Sequence, residues 1–160
     1  MRHVGKCLGA VAIIVLIAWT FWRPDSRTVL AQTREPVVMT RLFTNSDGQT
    51  QAEDVKMAFH GDPPNEVSEM LKVAGVEIHR YPPGYVNDWH AASRRQMVIT
   101  LSGRGEIEVA GGKKIVVGPG HVLIAEDVTG KGHVTRVVGN EDRVTMQIPL
   151  PGPFPATALK

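Results

Sequence analysis

The sequence predicts an all-β domain, a sandwich or barrel of short strands, behind an apolar N-terminal leader. Three observations predict it. From residue 73 onward, strand-like runs recur at spacings of roughly 8–12 residues. The breaks between them are built from glycine and proline, of which the chain holds 16 and 11 in 160 residues. The Gly105–Ala110 run alternates Glu106 and Glu108 with Ile107 and Val109, the period-2 pattern of a strand with one wet face.

The elements follow in chain order. Arg2 and Lys6 precede an uncharged stretch from Cys7 to Trp22, the pattern of a secretory signal. Val29-Leu30-Ala31 carries small residues where a signal peptidase reads, so cleavage before Gln32 is expected. An uncleaved anchor is the alternative, with Trp19, Phe21 and Trp22 at the interface, although the apolar run falls short of the roughly 20 residues of a bilayer span. The domain boundaries are accordingly 1–31 for a signal peptide or membrane anchor and 32–160 for the β domain, exported to the periplasm or beyond.

Residues 36–60 read as an extension of one or two edge strands, Val37–Phe43 and Val55–Phe59, around the Asn45-Ser46-Asp47-Gly48 turn. Val67, Met70 and Leu71 suggest a helical turn. The regular strands are then Val73–Tyr81, Gln96–Ser102, Gly105–Ala110, Lys113–Val117, Val122–Ala125, His133–Val138 and Val144–Ile148. Met97–Leu101 is apolar except for Thr100, as a central strand should be. The tail Pro149–Pro155 alternates prolines and cannot pair in a sheet interior, because proline lacks the donor; it is expected to wrap the outside.

The net charge of +2 comes from the leader. Residues 1–31 hold four basic residues and one acid, leaving 14 basic and 15 acidic residues, or −1, in the remainder. A near-neutral body gives no electrostatic reason to bind nucleic acid or an acidic membrane. Membrane contact is expected only through an uncleaved leader. The one cysteine, Cys7, belongs to the leader, so the body has no disulfide, cysteine nucleophile or thiolate metal site. Gly-x-Ser-x-Gly, Walker-type and His-Glu-x-x-His patterns are absent, and Gly103-Arg104-Gly105 reads as a hairpin turn.

The stretch Gly84–His133 resembles the two motifs of the cupin superfamily. Gly84 and His90 have the spacing of the first, Gln96 stands where its acid belongs, and Gly103 closes it. Gly118-Pro119-Gly120 leading to His133 is similar to the second, with a longer loop at Glu126–Gly132. The resemblance implies a single cupin-type antiparallel β-barrel or jelly roll. It also implies a divalent metal (Fe, Mn, Ni or Zn) bound by inward-facing side chains, His90 and His133 converging from opposite walls. The sequence departs from the family at Ala92, where a second His is expected, and at Gln96, a weaker ligand than a carboxylate. Asp127, with Glu126 as alternative, would replace the missing charge, giving a metal set of His90, Gln96, Asp127 and His133. His79 is the reserve ligand, and His121 is expected to face solvent. Arg94 shares the parity of Gln96 and would pair a substrate carboxylate, while Thr135 shares the face of His133 and would line the pocket.

Three functions stay open. The first is a metal-dependent oxygenase, isomerase or lyase acting on a small organic molecule. The second is a metal-free small-ligand-binding barrel, and the third a structural domain. By analogy with cupin barrels, residues 36–60 also offer strand pairing for a homodimer.

Overall fold

The computed structural model describes residues 35–62 and 64–160; the expected leader and cleavage site, with Cys7, lie outside them. No helix among the described residues is long and apolar enough to cross a membrane. Ten strands make up the fold: β1 Val38–Thr44, β2 Thr50–Lys56, β3 Glu77–Tyr81, β4 Val86–His90, β5 Gln96–Ser102, β6 Arg104–Glu108, β7 Lys114–Val117, β8 Val122–Ala125, β9 His133–Val138 and β10 Arg143–Pro149. They form a six-stranded sheet in the order β2-β1-β8-β5-β10-β3 and a four-stranded sheet in the order β4-β9-β6-β7. All pairings are antiparallel except β1 with β8.

Between β3 and β10, only the β6–β7 connection stays within one sheet; every other one passes from sheet to sheet. This back-and-forth path is why glycine and proline punctuate the chain so regularly, since each crossing needs a sharp corner. Gly103 is such a corner, not the hairpin turn the sequence suggested. It joins β5 of one sheet to β6 of the other at φ +68°, and a Cβ there would collide with the Asp142 carbonyl.

The expected strands at 96–102, 122–125 and 133–138 form with those bounds. Three expectations are corrected. β3 begins at Glu77 and not at Val73, and residues 67–71 form no helical turn. β2 covers Thr50–Lys56, pairing Thr44 with Thr50 through a turn in which the Asn45 side chain accepts from the Asp47 and Gln49 amides. β4 is an additional strand that apolar periodicity does not reveal.

Two apolar cores result. Leu42, Val98 and Leu123 of the larger sheet meet Ile107, Val109 and Val117 from the β6–β7 hairpin, filling one part of the barrel. The second core lies on the outer face of the larger sheet. There Met39 and Ile124 are covered by Phe154 and Ala158 of the tail. Pro149 is corrected: it ends β10, paired with Gln96 of β5. From Leu150 on the tail runs outside the barrel and is packed down: the Phe154 amide donates to Glu126 Oε1 at 2.6 Å, and the Leu150 amide to the Arg95 carbonyl at 2.9 Å.

Candidate functional site

The part of the barrel left unfilled by the first core is a cavity of about 280 Å³, at the lower end of the range for ligand pockets. Its floor is apolar, with Val98, Ile107 and Leu123. β4 and β9 contribute Asn87, His90, His133 and Thr135, while β3 and β10 contribute His79, Tyr81, Arg143 and Gln147.

His90 and His133 face each other as cross-strand partners on adjacent antiparallel strands, with ring centroids 4.4 Å apart. They are thus neighbours on one wall, not residues of opposite walls as expected. Gly132 makes the approach feasible. It sits at φ +78°, and any Cβ would overlap the His90 carbonyl. Outside this corner Lys131 Nζ lies 3.8 Å from the centroid of the partly exposed Trp89 ring, a cation–π contact joining β4 to the loop before β9.

Both imidazoles are fixed in the same tautomer. His90 Nδ1 lies 2.7 Å from the Asp88 carbonyl oxygen, which can only accept. His133 Nδ1 lies 2.7 Å from Asp127 Oδ2, which also accepts from Thr50 Oγ1 at 3.0 Å. In the neutral form of each ring the proton therefore sits on Nδ1 and the lone pair on Nε2. Burial pushes the His90 pKa below its ordinary value and the nearby His133 adds to this, against the hydrogen bond to the Asp88 carbonyl.

The expected ligand set comes together only in part. His90, His133 and Gln96 line the cavity. Asp127, fully buried, stands behind His133 and orients it, so its carboxylate is an outer partner of the imidazole and not a member of the cavity wall. Glu126 turns the other way, bound to Arg41 Nε at 2.6 Å and to the tail. Among the described residues no three His, Cys, Asp or Glu side chains converge as a metal cluster. For a divalent ion the fit is thus two imidazole Nε2 atoms and one amide oxygen. Hydrogen bonds from Nδ1 to a carboxylate and to a backbone carbonyl are what metal-ligating histidines usually make.

Arg94 is also corrected. Residues 91–95 are not a strand, so parity with Gln96 does not carry Arg94 inward. Its guanidinium pairs with Glu77 and its Nε donates to Gln96 Oε1 at 3.2 Å. Glu77, held by Arg94 and His79, is pushed below the usual carboxylate range. From there a chain of hydrogen bonds leads to the cavity: His79 Nε2 donates to Glu77, His79 Nδ1 accepts from the Tyr81 hydroxyl at 3.1 Å, and that hydroxyl accepts from Gln147 Nε2 at 3.0 Å. Burial raises the Tyr81 pKa, with the Gln147 bond opposing. His79 therefore does reach the cavity, and Thr135 lines it as expected. His121 is half-buried and its Nε2 is enclosed without a partner, not solvated.

The arginine that enters the cavity is Arg143, which sequence reasoning missed. It is 3% exposed, and Nη2 donates to Thr100 Oγ1 at 3.1 Å. No carboxylate pairs with it among the described residues. A lone buried charge costs on the order of several kcal/mol, and burial lowers its pKa, with Tyr81 opposing. A signal was present: Arg143, Thr145 and Gln147 form a polar stripe at period 2.

No protein-family model and no curated protein matches the chain. Among solved structures, it is similar to a Klebsiella pneumoniae protein with a double-stranded β-helix domain, at 18% identity over 58% of this chain and 83% of that one, with a TM-score of 0.41. It is also similar to a cupin domain from Bordetella pertussis, at 17% identity over 75% and 99% of the two chains, with a TM-score of 0.39. A cupin-like protein from Thermotoga maritima gives 18% identity over 69% and 80%, and a TM-score of 0.41. With Gly84–Gly103 spanning β4 and β5, Gly118–His133 spanning β8 up to the start of β9, and the strands crossing between two sheets, the chain is a two-sheet, mostly antiparallel β-barrel, the fold that the motif resemblance implies.

Proposed function

We propose that the barrel binds a small organic molecule in its cavity and acts on it at the His90–His133 pair, with oxygenase, isomerase or lyase chemistry as the reaction class. A divalent ion (Fe, Mn, Ni or Zn) would be held by the two Nε2 atoms with Gln96 Oε1, leaving positions for substrate. When bound, such an ion polarises a substrate oxygen or lowers the pKa of a water. The observation that carries this reading is the shared tautomer: both Nδ1 protons are engaged, leaving both Nε2 lone pairs for ligation. The basic-then-apolar leader supports export of the barrel.

A second reading is favoured by the wall itself, which holds one arginine and no Asp or Glu. A cationic wall disfavours a dication, and the barrel would then be a metal-free ligand-binding domain in which the imidazoles act as hydrogen-bonding groups.

Elemental analysis of untagged protein purified from its own host separates the two. The metal reading expects near-stoichiometric metal, with His90→Ala and His133→Ala each lowering affinity by at least about tenfold. Failure of Fe, Mn, Ni and Zn to bind at micromolar concentration removes that reading, and ligand binding that persists in chelator establishes the second.

A further inference from the structure

We propose that Arg143 is the anchor for a carboxylate, so that the cavity selects small monoanionic organic acids. The inference rests on the cavity being the ligand site, and it holds with or without a metal there.

Four observations lead to it. The first is the isolation of the guanidinium. Arg143 is 3% exposed, yet the only hydrogen bond of its guanidinium goes to the neutral Thr100 hydroxyl. Nε is enclosed with no acceptor, and Nη1 has none among the described residues. Arginine presents five N–H donors in a planar fork suited to bidentate pairing with a carboxylate. A folded chain that leaves most of the fork unused while burying its charge is complete only when an anion arrives.

The second observation is the charge of the wall. Of the side chains that line the cavity, Arg143 is the one permanent cation, and none is acidic. One positive charge matches a monoanion. A phosphate dianion would call for further cations that the wall does not supply.

The third is the room made for the side chain. Arg143 belongs to β10 of the larger sheet and lies against Gly105 on β6 of the smaller one. A Cβ at Gly105 would sit 2.9 Å from Arg143 Nε and 3.0 Å from Cδ. Glycine at this position lets the guanidinium cross the interior; a larger residue would push it aside.

The fourth is what surrounds the anchor. Val98, Ile107 and Leu123 give an apolar surface for the body of an acid, and the His90–His133 pair opens into the same cavity. A ligand held by its carboxylate is thereby kept within the space that the imidazoles share.

The test is calorimetric titration of the untagged full chain with acetate, pyruvate and benzoate. Acetamide and benzamide serve as uncharged counterparts and inorganic phosphate as the competing anion. At least one carboxylate is expected to bind at least about tenfold more tightly than its amide or than phosphate. Arg143→Met is expected to bring the carboxylate-to-amide ratio to near one while the melting temperature holds or rises, because an unpaired buried charge has been removed. Gly105→Ala provides an independent arm and is expected to weaken carboxylate binding with little effect on the amides. Amides binding as tightly as carboxylates, phosphate binding more tightly than any acid, or unchanged selectivity in both variants each overturns the assignment while leaving the cavity as a ligand site. Failure of every probe to bind at millimolar concentration overturns both together.

Discussion

At the scale of single residues, the site depends on positions whose importance is steric. Gly132 carries φ +78° and presses on the His90 carbonyl, whereas Gly48 carries φ +73° with nothing near its missing Cβ. Left-handed backbone costs a non-glycine residue about 1 kcal/mol or a little more. We therefore expect Gly48→Ala to lose about 1 kcal/mol in urea denaturation and Gly132→Ala about 3 kcal/mol or more, since overlap adds to strain. Equal losses would show that the β4–β9 corner tolerates the displacement. His90, His133 and Thr135 were legible because motif spacing and strand parity both bear on them. Arg143 was not, because an arginine following Glu141-Asp142 in a turn-like stretch is ordinarily a solvated residue. Asp127 was found, but spacing along a chain cannot distinguish a ligand from the partner that orients one.

At the scale of strands, legibility followed the side of the sheet on which apolar residues lie. β5, β8 and β9 carry buried aliphatic side chains (Val98, Leu123, Ile124, Val134 and Val137) and were found with their bounds intact. In β4 the inward residues are Asn87 and His90, while Val86 and Trp89 face out. Its hydrophobic pattern is inverted, which is the expected signature of a strand that lines a polar cavity. β10 is similar in its Arg143-Thr145-Gln147 stripe. The tail, read as a wrap, is a packed element: Phe154 is 6% exposed against Met39 and Ile124. Phe154→Ala is expected to destabilise the fold by about 3 kcal/mol, measured by chemical denaturation. A change below about 1 kcal/mol would mean the tail contributes little to the second core.

At the scale of the whole molecule, burial of imidazoles sets a pH dependence. The pKa values of His90 and His121 are both lowered, chiefly by burial. Each is therefore protonated more readily in the unfolded chain than in the folded one. Their neutral forms are compatible with the fold above the ordinary histidine value of about 6.5, and stability is lost as the pH falls from there toward the folded values. Denaturation midpoints should decline between about pH 7 and 5, and His121→Gln should flatten part of that decline. An identical slope in wild type and variant would remove His121 from the account. The overall architecture was readable because corners are written in glycine and proline. The division of strands between two sheets was not, since periodicity reports which face of a strand is apolar and is blind to its neighbours.

The pairing of β4 with β9 has a consequence in time. More than forty residues separate His90 from His133, and every strand between them belongs to a different hydrogen-bonded neighbourhood from its predecessor except at the β6–β7 hairpin. A chain emerging from its N-terminus has displayed the first imidazole well before the second exists, and loop closure of this length is slow relative to local structure. A site that needs both imidazoles is therefore complete only once β9 has paired with β4.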